Sequence, residues 1–216
     1  MYWFIEMCRS SLGKKYIMAI TGLMLIGFLV VHTIGNSTIF WGRGAFNSYA
    51  HHLHSLGIFV PLFELALLSI FLLHVITGIT LFIQNLQARG NRYEINKEAG
   101  GRTWGSSTMP YTGAAILVFI LIHLGNVHFT DHSIAISDIV TSILNHPGYT
   151  LVYGAAMALL LLHISHGCWS LFQTLGISHP KYDGLIRVAT RALAGIICGV
   201  FLLITLLLLF SQDHLM

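Results

Sequence analysis

The sequence has very little charge. Only 9% of its 216 residues are charged, whereas 55% are hydrophobic, and a typical soluble domain has about 25% charged residues. So few charges cannot cover the surface of a soluble protein of this length, and a bilayer is the natural solvent for it. The formal net charge is only +3, which gives no support to a function in nucleic-acid binding.

Cysteine is also scarce. The three cysteines, Cys8, Cys168 and Cys198, form no CxxC pair, so zinc-finger, iron–sulfur and thioredoxin-like chemistry has no support. No CxxCH motif is present, so any haem is expected to be bound non-covalently. No secretory signal peptide is expected, because the first apolar run is too long and lacks a small-residue cleavage site after it.

Long apolar runs, in contrast, are abundant. A membrane-spanning helix needs about 20 mostly apolar residues. The sequence therefore predicts an all-α integral membrane protein, one domain over residues 1–216, with five transmembrane helices at approximately 16–40, 58–85, 110–129, 149–175 and 189–211.

Proline is rare, and its positions agree with these five segments. We place all four prolines at or outside predicted helix ends, where a residue without an N–H is tolerated. Pro61 and Pro110 lie near helix starts, Pro147 precedes a start and Pro180 follows an end.

The basic residues predict the orientation of the chain in the membrane. All of them except Arg43 lie before the first helix, between the second and third, or between the fourth and fifth. The positive-inside rule makes that side cytoplasmic. The N-terminus is therefore expected inside and the C-terminus outside.

Histidine is unusually frequent, with thirteen residues. Those in loops or near interfaces are expected to be solvated. Those inside apolar runs differ, because an ionisable residue at membrane depth is costly and indicates a functional site. Five histidines are of this kind, and they fall on the first four helices: His32, His74, His123, His163 and His166.

Depth arranges four of these histidines in two pairs. At about 1.5 Å per residue, His32 and His123 lie about 24 and 20 Å from the cytoplasmic ends of their helices. His74 and His163 each lie about 20 Å from the outer ends of theirs. Two pairs at two depths is the pattern needed for two stacked haems, each held by two imidazoles.

His166 remains an alternative to His163 as the fourth ligand, because residues three apart on a helix point roughly the same way. A short match favours His163: Gly167 follows it by four residues, as Gly78 follows His74. A glycine one turn from the ligand leaves room for a macrocycle against the helix. Small-residue helix packing is the alternative explanation for both glycines.

A weak internal repeat relates the two halves of the chain. Thr21-Gly22 precedes His32, and Thr112-Gly113 precedes His123, with nine residues between them in both cases. The first and second helices therefore resemble the third and fourth.

Several stretches match a known family, namely TGLMLIGFLVVHTIGN, AFNSYAHHLHSL, HVITGITLF, YTGAAILVFILIH and HISHGCWSLFQTLGI. Over nearly its whole length the chain resembles the dihaem cytochrome b anchor subunit of succinate:quinone oxidoreductases, meaning succinate dehydrogenases and fumarate reductases. In that family one anchor has five helices, and the first four carry the haem ligands. These ligands match His32, His74, His123 and His163, and the family pairs the first with the third and the second with the fourth.

The resemblance implies an electron-transfer subunit in a prokaryotic cytoplasmic (inner) membrane, with two non-covalent haem b groups. A flavoprotein subunit and an iron–sulfur subunit would dock on the cytoplasmic side, against the N-terminal segment and the loop from Leu86 to Met109. The haem of His74 and His163 would be proximal to the iron–sulfur subunit and that of His32 and His123 distal. Quinone, usually menaquinone in two-haem members, would react near the distal haem.

The resemblance also suggests where to look for a quinone site. Relatives often carry a carboxylate where this chain has His54, after the first helix, and histidine can exchange protons near neutral pH. Glu64, near the outer end of the second helix, could contact quinone or simply reach the interface. Other polar candidates nearby are Arg43, Asn47, Ser48, His51 and His52.

One departure from the family concerns proton transfer. Some fumarate-reducing relatives carry a glutamate two residues before the fourth ligand, and here that position is Leu161. A transmembrane proton path through that carboxylate is therefore not expected.

The chain alone is not expected to act on succinate or fumarate, because it has no phosphate-binding glycine motif, flavin site or cluster ligands. No catalytic residue is assigned for that reaction. One alternative is the cytochrome b anchor of a formate dehydrogenase or hydrogenase. A second is a transporter whose histidines relay protons or bind a metal, which would favour polar residues at one midplane site.

Overall fold

The computed structural model describes residues 2, 6–7, 10–88, 104–131, 133–177 and 179–210. Within these residues all regular structure is helical. The elements are α1 (Ser11–Ser37), a 3-10 turn (Thr38–Trp41), α2 (Arg43–His54), α3 (Phe59–Gln87), α4 (Trp104–Val127), α5 (Ile136–Leu144), α6 (Pro147–Thr174) and α7 (Asp183–Phe210).

Five of the described helices, α1, α3, α4, α6 and α7, are long and apolar enough to cross a membrane. Their outward faces carry large apolar side chains, among them Leu65, Leu121 and Leu203, each about 60% exposed. In water these faces would be unfavourable, whereas in a bilayer they contact lipid while the helix satisfies its own backbone hydrogen bonds. The predicted fold class, an all-α membrane protein with five spanning helices, is confirmed.

Helices α1 and α7 begin before the predicted starts at residues 16 and 189. The N-cap of α1 is Ser10, whose hydroxyl accepts a hydrogen bond from the Gly13 N–H at 3.0 Å, a preferred arrangement at helix starts. The first turn of α7 contains Asp183, which the helix dipole favours there. Hydropathy detects only the apolar part of each helix and misses these polar first turns.

Pro110 lies inside α4, because that helix begins at Trp104 rather than near residue 110. The expectation that all four prolines lie at or outside helix ends is therefore wrong for Pro110. The small polar residues before it continue the helix but do not contribute to the apolar run. Pro147 is the first residue of α6, where its missing N–H costs no hydrogen bond.

The first four spanning helices form a ring. Helix α1 packs against α3 and α6, and α4 packs against α6 and α3, so α1 lies diagonally opposite α4 and α3 diagonally opposite α6. The fifth span, α7, lies outside this ring against α6 and α1. Side chains on diagonal helices can therefore face each other across the interior of the ring.

The short helices α2 and α5 cover one end of the ring, which we call the capped end. We call the opposite end, where Ser11 lies, the near end. A core cluster joins the 3-10 turn, α2, α5, α6 and α7 there, formed by Ile39, Phe46, Leu144, Tyr153, Ile204 and Leu208. The sequence predicts the segments of α2 and α5 only as connections between spans. Helices of nine and twelve residues are too short for a search for spans to detect.

Helix α2 turns back onto α1 through two glycines. Gly42 has φ +98°, a conformation that glycine adopts readily, and it separates the 3-10 turn from α2. Gly35 lets the Tyr49 ring approach the backbone of α1, because a Cβ on Gly35 would lie only 2.6 Å from that ring.

Candidate functional site

His32 on α1 and His123 on α4 face each other across one diagonal of the ring. Their ring centroids are 6.1 Å apart and their planes are nearly perpendicular, at 85°. A zinc–imidazole nitrogen bond is about 2.0–2.1 Å, and bonds of similar length to iron would place two imidazoles that share one iron with their centroids about 6 Å apart. The separation of this pair fits a shared haem iron.

Aromatic side chains surround this pair. Phe28 and Phe201 lie against His32, with ring centroids at 5.2 and 5.4 Å. Phe119 lies 5.8 Å from His123. Such apolar neighbours limit water access, which is one of the properties that tune a metal site.

His74 on α3 and His163 on α6 occupy the other diagonal. The Nδ1 of His74 lies 3.0 Å from the Thr21 hydroxyl oxygen on α1. The Nδ1 of His163 lies 3.1 Å from the Thr112 hydroxyl oxygen on α4. His163 is also close enough to His74 for the two rings to interact electrostatically.

The glycine after each threonine makes room for the imidazole. A Cβ on Gly22 would lie 3.3 Å from Cε1 of His74, and a Cβ on Gly113 would lie 3.3 Å from Cε1 of His163. Each is tighter than an ordinary van der Waals contact. The Thr-Gly repeat of the sequence thus holds the histidine of the neighbouring helix, a contact that sequence reasoning missed.

The two diagonals lie at different levels. Thr21 marks the level of His74 on α1, and His32 lies eleven residues further along the same helix, or about 16 Å. Thr112 and His123 have the same separation on α4. His32 and His123 therefore form the level on the side of the capped end, which we call the capped level. His74 and His163 form the level on the side of the near end, which we call the near level.

His166 lies in a different environment from His163. It packs against the start of α4, where a Cβ on Gly105 would lie 2.6 Å from the Nδ1 of His166. His163, in contrast, repeats the threonine and glycine contacts of His74. The internal symmetry therefore matches His74 with His163.

Gly78 and Gly167 lie beside methionine side chains. A Cβ on Gly78 would lie 3.0 Å from the methyl carbon of Met18, and a Cβ on Gly167 would lie 3.7 Å from that of Met109. Met18 and Met109 each precede a Thr-Gly pair by three residues. The repeat is therefore Met-x-x-Thr-Gly, and this longer signal was readable in the sequence.

Among the described residues, no three His, Cys, Asp or Glu side chains lie close enough together to hold a metal ion without a cofactor. A haem iron needs only two protein ligands, since the porphyrin supplies four nitrogens.

Two of the predicted quinone-site residues, Arg43 and Asn47, contact α5. Arg43 forms an ion pair with Asp138. The Asn47 side-chain NH₂ donates to the Ser137 hydroxyl at 3.0 Å, and the Ser137 backbone N–H donates to Oδ1 of Asn47 at 3.1 Å. These contacts fasten α2 to α5 across the capped end.

The other candidates on α2, namely Ser48, His51, His52 and His54, are exposed. The Nδ1 atoms of His52 and His54 each lie within 2.8 Å of the backbone carbonyl four residues earlier, a local contact within α2. Glu64 at the start of α3 faces His128 at the end of α4, with 3.8 Å between the carboxylate and Nδ1. Sequence reasoning did not single out His128.

A cavity of about 270 Å³ lies at the capped end between α4 and α5. Its volume is just below the range of about 300–1,000 Å³ that is typical of small-molecule sites. Asn126 lines it, and the Asn126 side-chain nitrogen is the one buried side-chain polar atom without a hydrogen-bond partner among the described residues. The other lining residues are Thr130, Ile134, Asp138, Ile139, Ser142 and Ile143.

Polar groups connect this cavity with the histidine level at the capped end. The Nδ1 of His123 lies 3.4 Å from the Tyr153 hydroxyl, and the Asn126 side chain lies beside that hydroxyl. His132 and His214, and residues 89–103 of the predicted docking loop, lie outside the described residues.

Comparison with known proteins adds an independent observation. The chain is 25% identical over 163 residues, 74% of its length, to the succinate dehydrogenase cytochrome b558 subunit of Bacillus subtilis (strain 168), and the match covers 78% of that relative. The predicted family resemblance is confirmed. No protein-family model matches the chain, and no solved structure matches it. The match to the cytochrome b558 subunit spans most of both chains, so it concerns the whole bundle rather than one helix.

Proposed function

We propose that the chain is the cytochrome b membrane-anchor and electron-transfer subunit of a succinate dehydrogenase or fumarate reductase. The observation that carries the proposal is the placement of four histidines on two diagonals of one helical ring, at two levels. The cytochrome b558 relative supports the same function and the same class of cofactor, haem b.

Two haems per chain is the finer part of the proposal. His32 and His123 would hold the haem nearer the capped end, and His74 and His163 the other. The 6.1 Å centroid separation of the first pair and the matched Thr-Gly contacts of the second support this ligand set. Haem iron with two imidazole ligands has no open position and carries one electron at a time.

The proposed electron partner at the capped end is a membrane quinone. It would be menaquinone, which two-haem members of the family usually use. Its headgroup would bind in the cavity between α4 and α5. The free amide N–H of Asn126 can donate to a quinone carbonyl oxygen. The polar contacts from Asn126 through Tyr153 to His123 link that cavity with the nearer histidine pair.

The near end is proposed to face the cytoplasm and the other subunits of the dehydrogenase, a flavoprotein and an iron–sulfur protein. Lys14, Lys15, Lys181 and Arg187 lie at this end of the described structure, as the positive-inside rule requires. The histidine level nearer this end would then be proximal to the iron–sulfur subunit.

The two alternatives fit these observations less well. An anchor of a formate dehydrogenase or hydrogenase would share the haems, but the relative is a succinate dehydrogenase subunit. A transporter would favour one midplane polar site, whereas the histidines occupy two levels about 16 Å apart.

Membranes that carry the assembled complex test this function. We expect succinate to reduce a b-type haem in the wild type and in His52→Ala, which changes an exposed histidine of α2. His74→Ala should lose part of that signal in a reduced-minus-oxidised absorbance spectrum. Membranes in which formate or hydrogen, but not succinate, reduces the haem would contradict the proposal.

A further inference from the structure

The threonine beside each histidine of the near level has a specific hydrogen-bonding geometry. The Thr21 hydroxyl lies 2.7 Å from the Ile17 carbonyl oxygen and 3.0 Å from Nδ1 of His74. A hydroxyl has one proton, and the bond to the carbonyl four residues earlier takes it. Towards His74 the oxygen therefore accepts, and the imidazole must donate from Nδ1.

Thr112 repeats this geometry in the second half of the chain. Its hydroxyl lies 3.1 Å from the Thr108 and Met109 carbonyl oxygens and 3.1 Å from Nδ1 of His163. The three distances are equal, and a threonine hydroxyl in a helix commonly donates to the backbone carbonyl three or four residues earlier. With the same assignment as at Thr21, the imidazole of His163 would donate from Nδ1.

We infer that Thr21 and Thr112 are positioning residues that hold His74 and His163 in the Nδ1–H tautomer, which leaves the lone pair on Nε2 to bind iron. In a neutral imidazole one nitrogen carries the proton and the other binds a metal, and the hydrogen bond at the first decides which. The inference rests on the proposed function, because it assigns a role to these hydroxyls only if the two histidines are haem ligands.

The capped level lacks this arrangement. The group nearest Nδ1 of His32 is the Asn36 side-chain nitrogen, at 3.4 Å, and it donates to the His32 carbonyl oxygen at 2.8 Å. The contact between His123 and Tyr153 is also 3.4 Å long. The inference therefore concerns the near level alone and predicts that only one of the two haems depends on threonine.

A hydrogen bond from the second ring nitrogen makes an imidazole a more basic ligand. A more basic ligand stabilises ferric over ferrous haem, so loss of the bond should raise the midpoint potential of that haem. Loss of such a partner also weakens metal binding, typically by about 10- to 100-fold.

The test compares Thr21→Val and Thr112→Val with Thr33→Val. Thr33 is a matched control, because it is also buried on α1 and its hydroxyl donates to the carbonyl four residues earlier, at 2.7 Å. The readouts are haem content, a potentiometric titration and the low-temperature electron paramagnetic resonance spectrum of the oxidised complex. Thr21→Ser keeps the hydroxyl. Thr21→Ala removes it without placing a methyl group in its position, as Thr21→Val does.

We expect Thr21→Val, Thr21→Ala and Thr112→Val to raise the potential of the same haem and to alter its resonance signal. Thr33→Val and Thr21→Ser should leave both unchanged. If the wild type binds two haems and Thr21→Val and Thr21→Ala behave like Thr33→Val, the inference is overturned while the proposed function stands. A wild-type chain without haem would overturn both.

Discussion

At the scale of single residues, glycine decides how close a histidine can come to a neighbouring helix. Gly22 and Gly113 take the same position beside His74 and His163. The sequence revealed the four histidines, because ionisable side chains stand out in apolar runs. It could not reveal the Thr-Gly contacts, since these depend on which helices are neighbours in the ring.

Gly22→Ala is expected to weaken haem binding without unfolding the protein. Alanine favours a helix over glycine by about 1 kcal/mol, but its Cβ would press on the His74 ring at 3.3 Å. The haem-to-protein ratio after purification should fall, whereas the thermal denaturation temperature should stay the same. Gly27→Ala is the control, because no atom lies within 4 Å of a Cβ at that exposed position of α1. Equal haem content in the two variants would refute the steric argument.

Asn126→Ala should weaken quinone binding and leave both haems in place. It removes the unpartnered amide that lines the cavity, and a hydrogen bond contributes about 0.5–1.5 kcal/mol, equivalent to a rise in the quinone KM of up to about tenfold. Quinone-reduction kinetics of the complex measure this. Asn145→Ala, at the exposed end of α5, is the control. An unchanged KM in Asn126→Ala would exclude this cavity as the quinone site.

At the scale of elements, spanning helices could be predicted and short helices could not. Hydropathy identified α3 to within two residues at each end, because its boundaries coincide with those of the apolar run. The polar starts of α1, α4 and α7 give no hydropathic signal. Helices α2 and α5 are defined by contacts with each other and with the bundle.

Helix α5, which the sequence did not predict, contacts two of the quinone candidates. Arg43 and Asn47 are quinone-site candidates because they are polar and lie near the outer end of the first helix. In the structure Asp138 and Ser137 of α5 are their partners. The lining of the cavity comes instead from α4, α5 and the segment between them.

Asn47→Ala is expected to loosen the capped end. It removes two hydrogen bonds to Ser137 and leaves a buried serine without its partner, which costs about 1–3 kcal/mol. The thermal denaturation temperature of the purified protein should fall. Ser48→Ala, the next residue on the exposed side of α2, should change it little. If both variants melt alike, the α2–α5 contact contributes nothing measurable to stability.

At the scale of the whole molecule, the two halves of the chain build one ring with the same parts used twice. Each half contributes a helix with Met-x-x-Thr-Gly and a histidine three turns later, followed by a spanning helix whose histidine, His74 or His163, contacts the Thr-Gly pair. The repeat places like histidines on diagonal helices, and this produces two levels from one motif. The fifth span, α7, has no counterpart in the repeat and packs outside the ring.

The proposed orientation can be tested with two cysteine variants in a background without Cys8. Ser55→Cys lies at the capped end and Lys181→Cys at the near end, and both positions are exposed. A membrane-impermeant thiol reagent added to intact cells should label Ser55→Cys alone, because the positive-inside rule places the near end in the cytoplasm. Labelling of Lys181→Cys alone would show the reverse orientation.

The central claim is that four histidines hold two haems, and haem content per purified chain tests it most directly. A pyridine haemochrome assay should give two b-type haems in the wild type and a lower value in each of His32→Ala, His74→Ala, His123→Ala and His163→Ala. His166→Ala should retain both, because His166 packs against Gly105 at the start of α4, whereas His163 repeats the threonine and glycine contacts of His74. Retention of both haems in His163→Ala with a loss in His166→Ala would contradict the ligand assignment, and a wild-type chain without haem would contradict the account as a whole.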